Sequence, residues 1–175
     1  MEFISSDTNI WFDFYSIHRL DIPFRLPFKY IIYEESLREE VVTPPDLLDE
    51  LKDLGLEGVE ITTDEFFYAE WLASCYVKLS RYDRIALAIA KHRNIRLLTG
   101  DAALRNAAQK EGVDVFGTIG ILDMLYESEK INSEDFIYCL ESLKNNPERR
   151  LPQEELQQRI QKTQLALKKR TCPNN

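Results

Sequence analysis

A chain of 175 residues with 44% hydrophobic and 30% charged residues fits one globular domain of ordinary size, which excludes a disordered or collagen-like polymer. Its net charge of -8 is unevenly divided: residues 148–175 carry seven Lys/Arg against three Glu, a net +4, which leaves -12 on residues 1–147. An acidic body has no diffuse attraction for nucleic acid, so RNA would have to be met by bound cations, local bases or a basic partner.

No apolar run approaches the roughly 20 residues that span a bilayer, and Met1-Glu2-Phe3-Ile4 carries no basic leader. The expected location is therefore the cytoplasm, away from membranes. Cys75, Cys139 and Cys172 are odd in number, widely spaced and form no Cys-x-x-Cys pair, and His18 and His92 are the only histidines. A disulfide framework, a thiolate site and a zinc centre are all short of ligands.

Along the chain, residues 2–6 read as a first strand and Asn9 to Leu20 as a helical start that Pro23 and Pro27 interrupt. Lys29 to Tyr33 is a β-prone run, and the helix after it opens on Glu34-Glu35, where negative charge suits the dipole. Pro44-Pro45-Asp46 opens a helix that ends near Gly55, and Gly58 to Thr62 reads as a third strand. From Asp64 to Leu79 the apolar spacing is helical through Phe67, Trp71 and Cys75; Arg84 to His92 is apolar nearly all round and so reads as a buried helix.

Ile95 to Thr99 is the clearest strand and Ala102 to Glu111 the clearest helix, stopped by Gly112. Val113 to Phe116 gives a last strand, and Gly117-Thr118-Ile119-Gly120 a structural turn with Thr118 as helix cap. Beyond Lys130 only helices are expected: one capped at Asn132-Ser133-Glu134, a break at Asn145-Asn146-Pro147, and a polar helix from Pro152 to Lys169 striped thinly by Leu156, Ile160 and Leu167. Such a stripe buries too little to stand alone, and its basic residues favour docking on an acidic surface of its own or a neighbouring protomer over service as an RNA arm. Alternating strands and helices imply a three-layer α/β/α sandwich with a central parallel sheet. The division expected is residues 1–131 as the main domain and 132–175 as a helical extension.

Four isolated acids stand beside these elements: Asp7 after the first strand, Glu40 late in a helix, Asp83 at a helix start and Asp101 after a strand. Each alone has an ordinary explanation, as a helix cap or a solvated surface charge. Parallel strands, however, deliver the residues that follow them to one edge of a sheet, and four carboxylates gathered there need a cation. Oxygen-only ligation favours magnesium or manganese. Trp11, Phe12, Phe14 and Tyr15 could stack on bases, but core packing is the commoner use of such a cluster.

The series Ile4-Ser5-Ser6-Asp7-Thr8-Asn9, Leu37-x-x-Glu40, Leu79-Ser80-x-x-Asp83-x-x-x-Leu87 and Leu97-Leu98-Thr99-x-Asp101-x-x-Leu104-Arg105 resembles a PIN domain. It continues as Gly112-Val113-x-Val115-x-Gly117-Thr118-x-Gly120 and covers roughly residues 3–131. The resemblance implies a ribonuclease fold, Mg2+ or Mn2+ held by Asp7, Glu40, Asp83 and Asp101, and supporting roles for Asn9 and Thr99. Spacing from Leu37 prefers Glu40 over its neighbour Glu39. The resemblance also implies a toxin of a toxin-antitoxin pair, with RNA as substrate, a small antitoxin as partner and self-association open. The alternative is a scaffold that keeps the fold without turnover; a phosphatase-like use of Asp7 as nucleophile is disfavoured because Asn9 stands where such sites place a second Asp.

Overall fold

The computed structural model describes residues 2–41, 44–149 and 151–171. Cys172 lies outside that set, as do Arg150 and the side chain of Arg170, two of the seven bases of residues 148–175. The architecture is a three-layer α/β/α sandwich around a five-stranded, wholly parallel sheet, with a C-terminal helical extension. The chain falls into two compact units, Met1–Phe12 with Pro27–Thr118, and Asp13–Leu26 with Ile119–Asn175.

The first unit holds the sheet. Its strands are β1 (Glu2–Ser6), β2 (Phe28–Tyr33), β3 (Glu57–Val59), β4 (Arg96–Leu98) and β5 (Val115–Phe116), in the order β3-β2-β1-β4-β5. Here α1 (Thr8–Ser16) starts straight after β1, then come α2 (Glu34–Glu40), α3 (Leu47–Leu54), α4 (Thr63–Cys75), α5 (Arg81–His92) and α6 (Ala102–Lys110). Strand β3 starts one residue before the expected Gly58 and ends at Val59. Ile85 to Ala90 of α5 are all buried, as their unbroken apolar run requires. Trp11 is fully buried, edge-on to Tyr30 with ring centroids 5.3 Å apart, and its indole N–H donates to Ser6 Oγ at 3.2 Å. Core packing accounts for Trp11, and the fully buried Phe14 belongs to the second unit's core.

The helix expected from Asp64 is α4, which ends at Cys75, and the face it buries is not its aromatic one. The apolar stripe read there, Phe67, Trp71 and Cys75, faces solvent, with Phe67 65% and Trp71 49% exposed, whereas Glu65, Ala69 and Leu72 are buried. The rotation of the helix is set at its N-terminus. Thr62 and Glu65 form a reciprocal capping box, and Arg93 grips the same Glu65 carboxylate at 2.7 and 3.0 Å, so this charge can be buried while small Ala69 lets α5 approach.

In the second unit, α7 (Thr118–Glu127), which starts at the end of the first unit, is followed by α8 (Ser133–Asn145) and α9 (Gln153–Thr171). Asn132 caps α8 by accepting from the Asp135 N–H at 2.7 Å. Leu156 and Ile160 of α9 are buried, Lys144 of α8 bonds Gln157 of α9, and Arg159 makes three bonds of 2.8–3.0 Å to Asp123 of α7. The basic tail helix thus docks on an acid of its own chain.

Arg93→Met should destabilise the protein by about 3–5 kcal/mol, because it leaves the Glu65 carboxylate buried without its partner. Phe67→Ser should stay within about 0.5 kcal/mol of wild type, as for other exposed positions. Urea melts of both variants test this; a Phe67→Ser loss equal to that of Arg93→Met would mean the aromatic stripe is core after all.

Candidate active site

The chain leaves β1 for β2 and β3 on one side, and β4 and β5 lie on the other, so the strand order reverses between β1 and β4. In open parallel sheets the crevice at the carboxyl ends of such a pair is where ligands bind. Ser6 and Leu98 are in register as the last residues of the two strands, and the Asp7 N–H continues the ladder to Leu98 O at 3.0 Å. Asp7 and Thr99 therefore emerge side by side.

Asp7 is only 7% exposed. Its Oδ2 accepts from Thr99 Oγ1 at 3.0 Å and Asn9 Nδ2 at 3.3 Å. Thr8 Oγ1 is 3.4 Å from Asp7 Oδ1 but 2.7 Å from Glu40 Oε2, so its one proton goes to Glu40. Thr99 Oγ1 also accepts the Asp101 N–H at 3.0 Å, and a single hydroxyl thereby ties Asp7 to Asp101. Glu39 turns instead to the Tyr82 hydroxyl, which leaves Glu40 as the member of the pair that meets the Asp7 segment.

Asp83 and Asp101 sit at helix N-termini and do cap them. Ser80 is the N-cap of α5, which begins at Arg81 rather than Arg84, and Asp83 Oδ2 accepts the Ser80 N–H at 2.8 Å in a capping box. Asp101 is the N-cap of α6 and accepts the Leu104 N–H through Oδ1 at 2.7 Å. The ordinary and the functional readings of these acids are compatible, since each cap uses one oxygen. Among the described residues, the other oxygens of Asp83, Asp101 and Glu40 take no hydrogen bond.

Thr8, Ser80 and Arg105 were not picked out as site residues. Arg105 Nη2 donates to Thr99 O at 2.9 Å behind the crevice, and it fits because residue 117 is glycine: a Cβ there would lie 2.6 Å from that guanidinium nitrogen and 3.0 Å from Thr99 O. The sequence signal for Arg105 is this pairing of a helix-borne Arg with a Gly just after β5, legible only once the strands are in place. Thr8 lay inside the Asp7-Thr8-Asn9 motif, hidden by the more obvious acid.

The electrostatics reflect the crowding. Burial, then the Asp83 charge, push the Asp7 carboxyl up to about 6 against the hydrogen bonds of Thr99 and Asn9, with Glu40 adding to the rise. Burial raises Asp83 as well, helped by Asp101 and opposed by the Ser80 bonds and Arg84. Burial also raises Glu40, with Asp83 and Glu39 adding to it and Thr8 opposing.

The donors present are carboxylate and hydroxyl oxygens, the set that hard divalent cations prefer. Among the described residues no three His, Cys, Asp or Glu side chains form a ready-made metal cage. The uncommitted oxygens of Glu40, Asp83 and Asp101 would have to turn inward to hold an ion. Bringing them together raises their mutual repulsion, which a cation would offset. In donor chemistry the residues fit Mg2+ or Mn2+.

A family model described as a PIN domain matches residues 3–165, nearly the whole chain and well into α9. The chain therefore belongs to the PIN domain family, a nuclease-like class. No curated protein and no solved structure matches it. Among the described residues no helix is long and apolar enough to cross a membrane.

The raised Asp7 value has a measurable consequence without metal. Because the folded state holds this proton more tightly than an ordinary aspartate, which releases it near 3.8, the associated stability is fully present below about pH 4 and is lost as pH rises through about 6. Asp7→Asn should therefore melt higher than wild type at pH 7.5 in EDTA, by an amount on the order of 3 kcal/mol at most, with the difference vanishing near pH 4. A variant that melts lower at pH 7.5 would show that the Asp7 charge stabilises the fold.

Proposed function

We propose that this protein is a metal-dependent endoribonuclease that hydrolyses RNA phosphodiester bonds at Asp7, Glu40, Asp83 and Asp101, with Mg2+ or Mn2+ as cofactor. The observation that carries the reading is the convergence of Asp7, Thr99 and Asp101 at the β1–β4 switch point, with Glu40 joined to them through Thr8. When bound, the cation supplies water activation and neutralises charge on the phosphoryl oxygens.

The chain's own residues divide the remaining work. Thr99 and Asn9 hold Oδ2 of Asp7 and leave Oδ1 directed by nothing stronger than the 3.4 Å approach of Thr8. Of Glu40 and Asp83, each with one oxygen tied and one uncommitted, the one whose uncommitted oxygen is not given to the cation would take the proton of an attacking water. The acidic body repels RNA at long range, so the charge of Asp7, Glu40, Asp83 and Asp101 would have to be neutralised before a phosphodiester approaches them. Membership of this family supports RNA as substrate. A toxin held in check by a small antitoxin that covers the crevice, acting in the cytoplasm, is the biological setting the proposal carries with it; pairing of two copies belongs to the same proposal.

Asp83→Asn and Asp101→Asn keep an amide oxygen to accept the Ser80 and Leu104 N–H groups, so both variants should fold. Each should lower cleavage of a fluorogenic single-stranded RNA by about 10²–10⁴-fold, and EDTA should abolish wild-type cleavage until Mn2+ is restored. RNA binding without turnover in wild type, or cleavage that survives EDTA and both substitutions, would contradict the proposal; the first result favours a PIN-fold scaffold.

A further inference from the structure

Helix α2 carries Glu40 at its last residue and is only seven residues long, too short to be held in place by its own helical bonds. Its placement relative to Asp83 depends on what else grips it. The residue before each acid supplies the grip: Glu39 precedes Glu40, Tyr82 precedes Asp83, and the Tyr82 hydroxyl donates to Glu39 Oε2. One helical turn back, Glu35 Oε2 accepts from Arg81 Nη2 at 3.0 Å and from the Tyr33 hydroxyl at 2.6 Å. The Tyr33 and Tyr82 rings lie 6.2 Å apart at 45°, and the Arg81 guanidinium sits 5.6 Å from the Tyr82 ring centre.

We infer that Tyr82 is a positioning residue: with Glu39 it closes a clasp between α2 and the start of α5 that holds Glu40 opposite Asp83. This rests on the metal-site reading above, and it explains why two glutamates stand in succession, one for the clasp and one for the crevice. The clasp is at the surface, where single hydrogen bonds add little to global stability, so its effect is local order.

The test compares wild type, Tyr82→Phe and Glu39→Gln in two measurements: amide hydrogen exchange of residues 34–41 in the metal-free protein, and the Mn2+ concentration at half-maximal rise in melting temperature. Tyr82→Phe should speed exchange across α2 with little change in the metal-free melt, and raise the Mn2+ midpoint by about tenfold, as loss of a group that orients a ligand does. Glu39→Gln keeps an oxygen for the Tyr82 hydroxyl and should stay close to wild type in both measurements. Wild-type exchange and midpoint in Tyr82→Phe would overturn the inference, as would a weakened Mn2+ response in Glu39→Gln alone, which would assign Glu39 a through-space charge effect. If wild type shows no response to Mn2+, the metal reading fails, and the exchange arm decides the clasp by itself: faster exchange sustains it and unchanged exchange overturns it.

Discussion

A carboxylate at the ends of two adjacent parallel strands gives up most of its hydration, and Asp7 does so with the charges of Asp83 and Glu40 close enough to raise its pKa further. The fold answers with hydrogen bonds from Thr99 and Asn9. These offset part of the cost and leave the rest in place. Retaining an incompletely compensated acid at the switch point of the sheet is unfavourable for folding alone, and perturbed carboxylates of this kind cluster at functional sites. The β1–β4 register, the buried Ser5 and Ser6, and the Arg105–Gly117 contact behind Thr99 all serve to fix this one group.

Helix N-termini provide the second part of the arrangement. Asp83 and Asp101 each sit in the first turn or at the cap of a helix, where the partial positive charge of unpaired N–H groups favours a carboxylate. That placement lets two more acids approach Asp7 without either being wholly uncompensated. Because each cap consumes one oxygen and leaves the other, the same bond that starts a helix also orients a candidate ligand. Glu40 lacks a helix N-terminus of its own, since it ends α2, and depends on Thr8 and the neighbouring clasp instead.

The parallel sheet was legible because its strands are short apolar runs followed by polar turns, and α5 because six successive buried residues admit no other phase. The four acids were legible as positions after strands or at helix ends. What the sequence hid was how the acids are held: that Asp83 and Asp101 each commit a single oxygen to a helix start, and that Thr8 and Thr99 link Asp7, Glu40 and Asp101 through single hydroxyls. Those links join residues 32 and 92 positions apart, a separation no local pattern encodes. The orientation of α4 was hidden for a related reason. Its aromatic stripe is the stronger local signal, yet a tertiary partner 28 residues away, Arg93, makes burying Glu65 the better solution.

The acids gathered around Asp7 are proposed to form one cation site. Anomalous scattering from a crystal soaked in Mn2+ addresses it most directly. The expected result is a manganese peak within ligand distance of Asp7 and at least two of Glu40, Asp83 and Asp101, with their uncommitted oxygens turned toward it. Manganese bound only elsewhere on the acidic surface, with the cluster unchanged at saturating concentration, would contradict it.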